Sequence, residues 1–474
     1  MCGVCGAVEV RQTGSHLAAA LVVHQLQMLQ HRGQQSAGLA VVCDGQPKCK
    51  KGLGLVGAVF ADEEEIRSFT GHLAVGHNRY STSGGLGLEG AHPHCKSGRF
   101  EVALVHNGNL VNTCSLQQHL RQKGIPLESD SDSEAVAAMI AHSRATTLEE
   151  AVVETCLQLR GAYSMLILAP DRIVAVRDPH GIRPLELGHL VNSDGEFWVV
   201  ASETCAWSGL GLTVAVREIA PGEVLTIYPD GKMRSRSLPV EPSPCLCAFE
   251  YIYLARPDSE LRGRLVRDVR KELGRQLARE SRPCLPAYDL ITAVPDSGIP
   301  HGEGFAAELG VQLTTGFVKN HYIGRTFIKP NGRRRGVRQK LSPLRLTLRG
   351  ERVVVVDDSI VRGTTTREEV ELLREIGVRE VHLQIASPQI RYPCFYGIDT
   401  ATERELVASD ETLLGLRQKL PLEFRELPPA DVVGAWLGAE SLGHLTLDGL
   451  IESIGLPLCL ACFNGDHPIS PEGR

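Results

Sequence analysis

Two bodies of contrasting character are expected from this 474-residue sequence: a mixed α and β body, then an α/β body built on a parallel sheet. Three observations carry the expectation. Up to about Leu238 the chain reads as short β runs and a few helices parted by glycine-bearing turns, as in VALVHNGNL at 102–110 and AYSMLILAP at 162–170. From about Arg234 to Pro244 the composition shifts to Pro, Ser and Glu (SRSLPVEPSP), the texture of a linker or crossing segment. Beyond it, uninterrupted Val runs end in polar, Gly-bearing turns followed by helical spacing, which suits parallel strands buried on both faces.

In chain order, the first helix is expected over HLAAALVVHQLQMLQHRG, where apolar residues keep helical spacing from Leu17 to Leu29 and Gly33 supplies the stop. In the second body, ITAVPDSG at 291–298 and RVVVVDDSIVRGTTT at 352–366 each join an apolar strand to a turn, and TREEVELLREIG gives the helix after the second. The divisions expected are 2–238, 245–420 and a C-terminal tail, 421–474.

With 43% hydrophobic and 22% charged residues, disorder and collagen-like repeats are excluded, and no apolar run approaches the roughly 18 residues of a membrane span. A net charge of -6, from 50 Lys plus Arg and 56 Asp plus Glu, gives no general attraction for nucleic acid. Any bound anion is therefore held locally. The 14 cysteines are scattered and MCGVCG opens the sequence without a charged-then-apolar leader, so a cytoplasmic chain with reduced thiols is expected.

Cys2 follows the initiator Met, and a small second residue permits removal of that Met. A terminal cysteine so exposed has an α-amine titrating near about 8, able to act as base to its own thiol. Around it, CGVCG at 2–6, HRGQQSAG at 31–38, GHNRYSTSGG at 76–85, HNGNL at 106–110 and SDSEAV at 131–136 occur in that order. This series resembles the Ntn-hydrolase class of glutamine amidotransferase domains, which implies an αββα sandwich for residues 2–238. The resemblance makes Cys2 the nucleophile on the glutamine amide. Arg79 would hold the α-carboxylate and Asp132 the α-ammonium of free glutamine, and Asn107 with the Gly108 N–H would form the oxyanion hole. Gln35, Cys5 and His92 depart from the commoner residues of the pattern, and none of them removes a proposed catalytic group.

The second body carries a sugar-phosphate cradle. A hydrophobic strand delivers Asp357 and Asp358 to its carboxyl end, where two acids address ribose hydroxyls and a hard cation. The turn from Ser359 through Arg362, Gly363, Thr364 and Thr365 then offers N–H groups and hydroxyls to a phosphate at a helix N-terminus. The cradle resembles the signature of type I phosphoribosyltransferases, which bind phosphoribosyl pyrophosphate (PRPP). By that resemblance AVPDSG at 293–298 is the pyrophosphate loop, with Ser297 near a magnesium held by Asp357 and Asp358. VKNHYIGRTFIKP at 318–330 resembles the loop that closes over PRPP in the amidophosphoribosyltransferase family, matched at Lys319, Tyr322 and Arg325 and differing at His321. The segment after Pro330 is shorter than in common relatives.

Cys247, Cys394, Cys459 and Cys462 come from three distant segments, and four such thiolates bind either zinc or an iron-sulfur cluster. Their positions resemble those of the ligands of a 4Fe-4S cluster in one branch of the amidophosphoribosyltransferase family, which implies a structural cluster. Cys43, Cys49, Cys95, Cys114, Cys156, Cys205, Cys245 and Cys284 read as packing or surface thiols. Taken over the chain, the resemblance implies glutamine and PRPP as substrates and 5-phosphoribosylamine as product, the opening step of purine synthesis. It also implies feedback inhibition by purine nucleotides, a homotetramer or homodimer, and no nucleic-acid or membrane partner. A non-catalytic PRPP-binding regulator is the rival from another class, and it would have no use for Cys2, Arg79, Asn107 and Asp132 together.

Overall fold

Strands whose residues are buried along nearly their whole length need cover on both faces, and the first body supplies it in four layers. The computed structural model describes residues 2–10, 17–80, 87–211, 213–322, 338–400, 402–421 and 426–470. One antiparallel sheet has seven strands in the order Thr213–Glu218, Glu186–Asn192, Gly195–Ala201, Gly3–Glu9, Leu73–Arg79, Ser36–Cys43 and Gln46–Leu53. The facing sheet has six, in the order Met233–Ser237, Glu223–Ile227, Arg172–Arg177, Gly161–Ala169, Val102–Leu110 and His94–Lys96. Val4, Val75, Val105, Leu166 and Leu168 fill the space between them.

The helix Ala18–Met28 covers the first sheet through Val22 and Leu26. It lies so close that a Cβ on Gly76 would stand 2.5 Å from Val22 Cγ1. Asp132–Ala141 and Leu148–Cys156 cover the second sheet. Thr147 and Glu150 close a capping box at the start of Leu148–Cys156, satisfying two amides that the helix itself leaves unpaired. The expected αββα sandwich is present.

In the second body four parallel strands run in the order Leu290–Ala293, Arg352–Asp357, Glu380–Ile385 and Ser441–His444. The Val353–Val356 run shows why no alternation marked this strand. Val354 and Val356 pack into one layer with the helices Val266–Ser281 and Gly298–Leu309, and Val353 and Val355 into the opposite layer. Both faces are dry. Gly274 and Gly304 let those two helices touch, since a Cβ on either would come 1.9 Å from a carbonyl oxygen of the other helix.

Three features lay beyond the sequence reading. The front of the Pro-rich stretch is the edge strand Met233–Ser237, so only the residues after it cross between the bodies. Residues from the expected tail supply the fourth parallel strand, Ser441–His444, a four-residue edge piece too short to announce itself. Cys49 and Cys95, read as separate packing or surface thiols, form a disulfide. Each lies on an edge strand, Gln46–Leu53 of one sheet and His94–Lys96 of the other, and stacking the sheets brings those edges together. Among the described residues no helix is long and apolar enough to cross a membrane.

Candidate active sites and a cysteine cluster

At the end of the central strand Gly3–Glu9 stands Cys2, where the two sheets of the sandwich meet. Its N–H donates to Asn107 Oδ1 at 3.2 Å, and its thiol lies 3.6 Å from the Tyr80 carbonyl oxygen. Asn107 is 1% exposed, and its Nδ2 has no hydrogen-bond partner among the described residues. A buried amide donor left unpaired costs about 1–3 kcal/mol, so its retention beside a thiol marks a place for an incoming acceptor. Gly108 follows at φ +151, and a Cβ there would fall 2.0 Å from the Ala162 carbonyl oxygen. Only glycine fits.

Arg79, at the end of Leu73–Arg79, is buried and feels the charges of Cys2 and Asp132. Asp132 opens the helix Asp132–Ala141, accepting from Leu110 N at 3.0 Å and from Ser133 N at 2.6 Å. Burial opposes its charge, but nearby His106 and these donors outweigh burial and hold the carboxyl at about 2. His106 received no role from the sequence although it stands in the HNGNL motif. Its Nδ1 lies 2.9 Å from Ser133 Oγ and 3.8 Å from Asp132 Oδ1. Burial works against its charge, and Asp132 more than compensates, raising its pKa. The structure thus gathers Cys2, Arg79, Asn107, Gly108 and Asp132 at one place, with His106 behind them.

A cavity of about 320 Å³ opens at the carboxyl ends of the parallel strands. Its lining includes Ser297, Lys319, Asp357, Asp358, Ser359, Arg362, Gly363, Thr364 and Thr365. Gly363 takes φ +70 to turn the chain into the helix Thr364–Glu375, whose first amides face the cavity floor. Asp357 and Asp358 are both buried. Burial pushes both carboxyls up, and each adds like charge to the other or to Glu369, while Ser297 and Ser359 bond Asp358. Two neighbouring carboxyls with Ser297 beside them are the oxygen donors a hard divalent cation takes. Glu369, held up at about 8 by burial and by Asp358, and Lys340 also line the cavity and were not anticipated. Lys319 pairs with Asp296. Tyr322 is fully exposed and is not among the lining residues, and Arg325 lies outside the described residues.

The two sites share a wall. Tyr80, whose carbonyl faces the Cys2 thiol, also lines the cavity, and its hydroxyl lies 3.4 Å from Asp399 Oδ2. Arg362 in turn donates to the Asp399 carbonyl at 3.3 Å and to Glu405 at 3.0 Å. Asn109 Nδ2 donates to the Phe395 carbonyl at 2.9 Å, and a Cβ on Gly397 would stand 3.1 Å from the Gly108 oxygen. Residues 395–399 are therefore a second-body segment pressed onto the first-body site.

That segment is anchored by cysteines. Leu246–Cys247 pairs in parallel with Leu458–Cys459, placing Cys247 opposite Cys459. The Cys462 carbonyl accepts from the amides of Arg391 and Tyr392, which brings Cys394 beside them. All four cysteines pack in one apolar cluster, with the Arg183 guanidinium near Cys247 and Cys394. Among the described residues, the one trio of His, Cys, Asp or Glu with ligand atoms all within 4.8 Å is His31, Glu203 and Cys205. Glu203 there is already met by Arg32, Arg256 N and Ser259 Oγ, so it has no charge left for an ion.

Fold and site define a glutamine amidotransferase domain joined to a phosphate-binding α/β body, and a family described as a glutamine amidotransferase domain matches residues 77–208. Over 98% of its length the chain is 43% identical to the amidophosphoribosyltransferase of Mycobacterium leprae, covering 82% of that protein. The amidophosphoribosyltransferase of Bacillus subtilis is 41% identical over 98% of this chain and 94% of its own. A solved structure of the B. subtilis glutamine PRPP amidotransferase, complexed with ADP and GMP, superposes over all of this chain and 98% of that one, with a TM-score of 0.86 at 39% identity. This chain belongs to the amidophosphoribosyltransferase family.

Proposed function

We propose that the chain transfers glutamine-derived ammonia to PRPP, giving 5-phosphoribosylamine, glutamate and pyrophosphate, the first step of purine synthesis. The observation that carries this reading is the shared wall: the Tyr80 carbonyl faces the Cys2 thiol, and Tyr80 also lines the cavity that holds Asp357 and Asp358.

Arg79 and Asp132 read the two charged ends of free glutamine and place its side-chain amide against Cys2 Sγ. Attack by the thiolate forms a thioester, and Asn107 Nδ2 with the Gly108 N–H receives the developing oxyanion. Such donors are worth roughly 10²–10³ in turnover each. Ammonia leaves as the thioester forms, and water then releases glutamate. Phe249, Leu254 and Ile398 line the cavity together with Tyr80 and give it an apolar side along which ammonia would pass. In the cradle, the turn 359–365 holds the 5-phosphate and Asp357 and Asp358 address the ribose. A divalent cation held by Asp357, Asp358 and Ser297 would neutralise the departing pyrophosphate. Lys319, Tyr322 and Arg325 belong to the loop assigned to close over PRPP.

Cys247, Cys394, Cys459 and Cys462 are read as ligands of a 4Fe-4S cluster, supported by their convergence from three distant segments on one apolar cluster. A cluster bound there ties the segment holding residues 395–399 to the C-terminal strand and needs no redox step. The B. subtilis relative was solved with ADP and GMP, which supports purine nucleotides as regulators of this chain, and a homodimer or homotetramer is the assembly we assign.

The test is glutamate release from glutamine with and without PRPP and Mg²⁺, for the wild type and Cys2→Ala. Release that needs Cys2 and rises with PRPP is the expected result. Cys2-dependent release indifferent to PRPP would overturn the acceptor, and no release from metal-replete protein would favour a PRPP-binding regulator.

A further inference from the structure

A fifth thiol accompanies the four. Cys245 N donates to the His180 carbonyl at 2.7 Å and Cys247 N to the Ile182 carbonyl at 3.1 Å, while Leu246 N turns the other way, to the Pro457 carbonyl at 3.1 Å. This alternation is that of an extended strand, in which residues two apart project from the same face about 6.6–6.8 Å from each other. Cys245 therefore stands on the face that carries Cys247, toward the same apolar cluster that Cys394, Cys459 and Cys462 enter. It is half-buried, and it lies at the end of the crossing segment that joins the two bodies.

We propose that Cys245 is a reserve ligand of the cysteine cluster, placed to bind the metal when Cys247 lets go. The proposal rests on reading the four cysteines as ligands of an iron-sulfur cluster. The exchange is a ligand substitution. The iron bond to Cys247 Sγ breaks and that sulfur takes up a proton, while Cys245 Sγ gives up a proton and forms the new bond. Net charge and the oxidation state of iron are unchanged, so no oxidant or reductant is needed. Two features make the exchange local to this pair. Cys247 and Cys245 are on one strand face, so the chain need only slide or tilt rather than unfold. Cys459, the partner across the parallel strand pair, is preceded two residues earlier by Pro457, which offers no second thiol. Cys247 thus has a substitute on its strand face, and Cys459 lacks one at the matching position.

The test compares iron and acid-labile sulfide content, with absorption and EPR spectra, in anaerobically purified full-length wild type, Cys245→Ala, Cys247→Ala, Cys459→Ala and the double variant Cys245→Ala with Cys247→Ala. The expected result is a full cluster in the wild type and Cys245→Ala, and a retained cluster with an altered spectrum in Cys247→Ala. Iron is expected to be lost from Cys459→Ala and from the double variant. A Cys247→Ala protein as empty as the double variant, beside an iron-loaded wild type, overturns the reserve role and leaves the cluster reading standing. A wild type with no iron overturns both. Should Cys247→Ala fail to fold, the rate of iron loss to a chelator from wild type and Cys245→Ser decides. Loss severalfold faster from the variant supports recapture by Cys245, and equal rates overturn it.

Discussion

Asn107 and Gly108 show how narrowly a single residue position is constrained. Gly108→Ala is expected to lower glutamine hydrolysis by roughly a hundredfold or more, the size of one lost oxyanion donor, because a Cβ 2.0 Å from the Ala162 carbonyl forces the backbone to move. Activity with added ammonium and PRPP, which bypasses this site, should persist in the folded variant. Steady-state assays with the two nitrogen sources check it, and equal losses in both would show a fault in folding instead. Asp132 gives a second test at the same scale. Its carboxylate raises the His106 pKa against burial, so Asp132→Asn should let that imidazole titrate lower, followed by its ring-proton NMR shifts, while the KM for glutamine rises at least about tenfold through loss of a charged contact. An unmoved His106 titration would remove the coupling between the pair.

The helix Thr364–Glu375 earns its place at the cavity through the turn before it. Gly363 sits at φ +70 with Trp436 Cζ3 2.6 Å from where a Cβ would be, so Gly363→Ala should tilt the first turn and raise the KM for PRPP with a smaller change in kcat. A variant that binds PRPP normally by calorimetry would contradict this. The strand and helix around this turn were legible because physics writes them locally: a Val run buried on both faces must be a central strand, and acids at its end must face a ligand. Cys2, Arg79, Asn107 and Asp132 were legible as an ordered set of motifs, not from any spacing that showed them adjacent. What escaped depends on assembly. The Ser441–His444 strand is too short for periodicity, and the Cys49–Cys95 bond joins edges that meet only when two sheets stack. Asp399 and Tyr80 become partners through packing of one body on the other across 319 residues of chain. His106 lay inside a quoted motif, and its contact with Asp132 was the missing signal.

At the scale of the molecule, buried charge decides how the bodies hold together and how they respond to acid. Arg32 of the first body bonds Glu250 at 2.7 Å, Arg183 bonds Glu250 at 3.3 Å, and Arg183 also donates to the Tyr396 carbonyl, all in dry surroundings. Removing Glu250 leaves the buried Arg183 without a carboxylate and Arg32 with Glu203 alone, so Glu250→Ala should cost about 3–5 kcal/mol in unfolding free energy. Because Tyr396 neighbours residues 397–399, it should also weaken stimulation of glutamine hydrolysis by PRPP, and denaturant melts with paired assays separate the two effects.

Acid acts through other groups. Burial holds His77, His94 and His301 neutral, with pKa values of about 3 each. In the unfolded chain the same imidazoles titrate near about 6.5. Above that pH both states are neutral and the full stability is present. As pH falls through 6.5 the unfolded chain takes up protons first, so stability is lost progressively down to about pH 3. Each histidine removes up to about 1.4 kcal/mol per pH unit in that window, on the order of 2 kcal/mol by pH 5. Urea melts at pH 7.5, 6.5, 5.5 and 5 read this loss against an opposing gain from Glu186 and Glu369, whose carboxyls stand at about 8 in the fold and take up protons before the unfolded chain does, so the histidine share is read as the difference between wild type and a histidine variant. In His301→Gln the slope between pH 6 and 5 should be shallower by about one proton's share, whatever the variant's stability at pH 7.5. A slope unchanged by His301→Gln would mean that this imidazole reaches water in the native state.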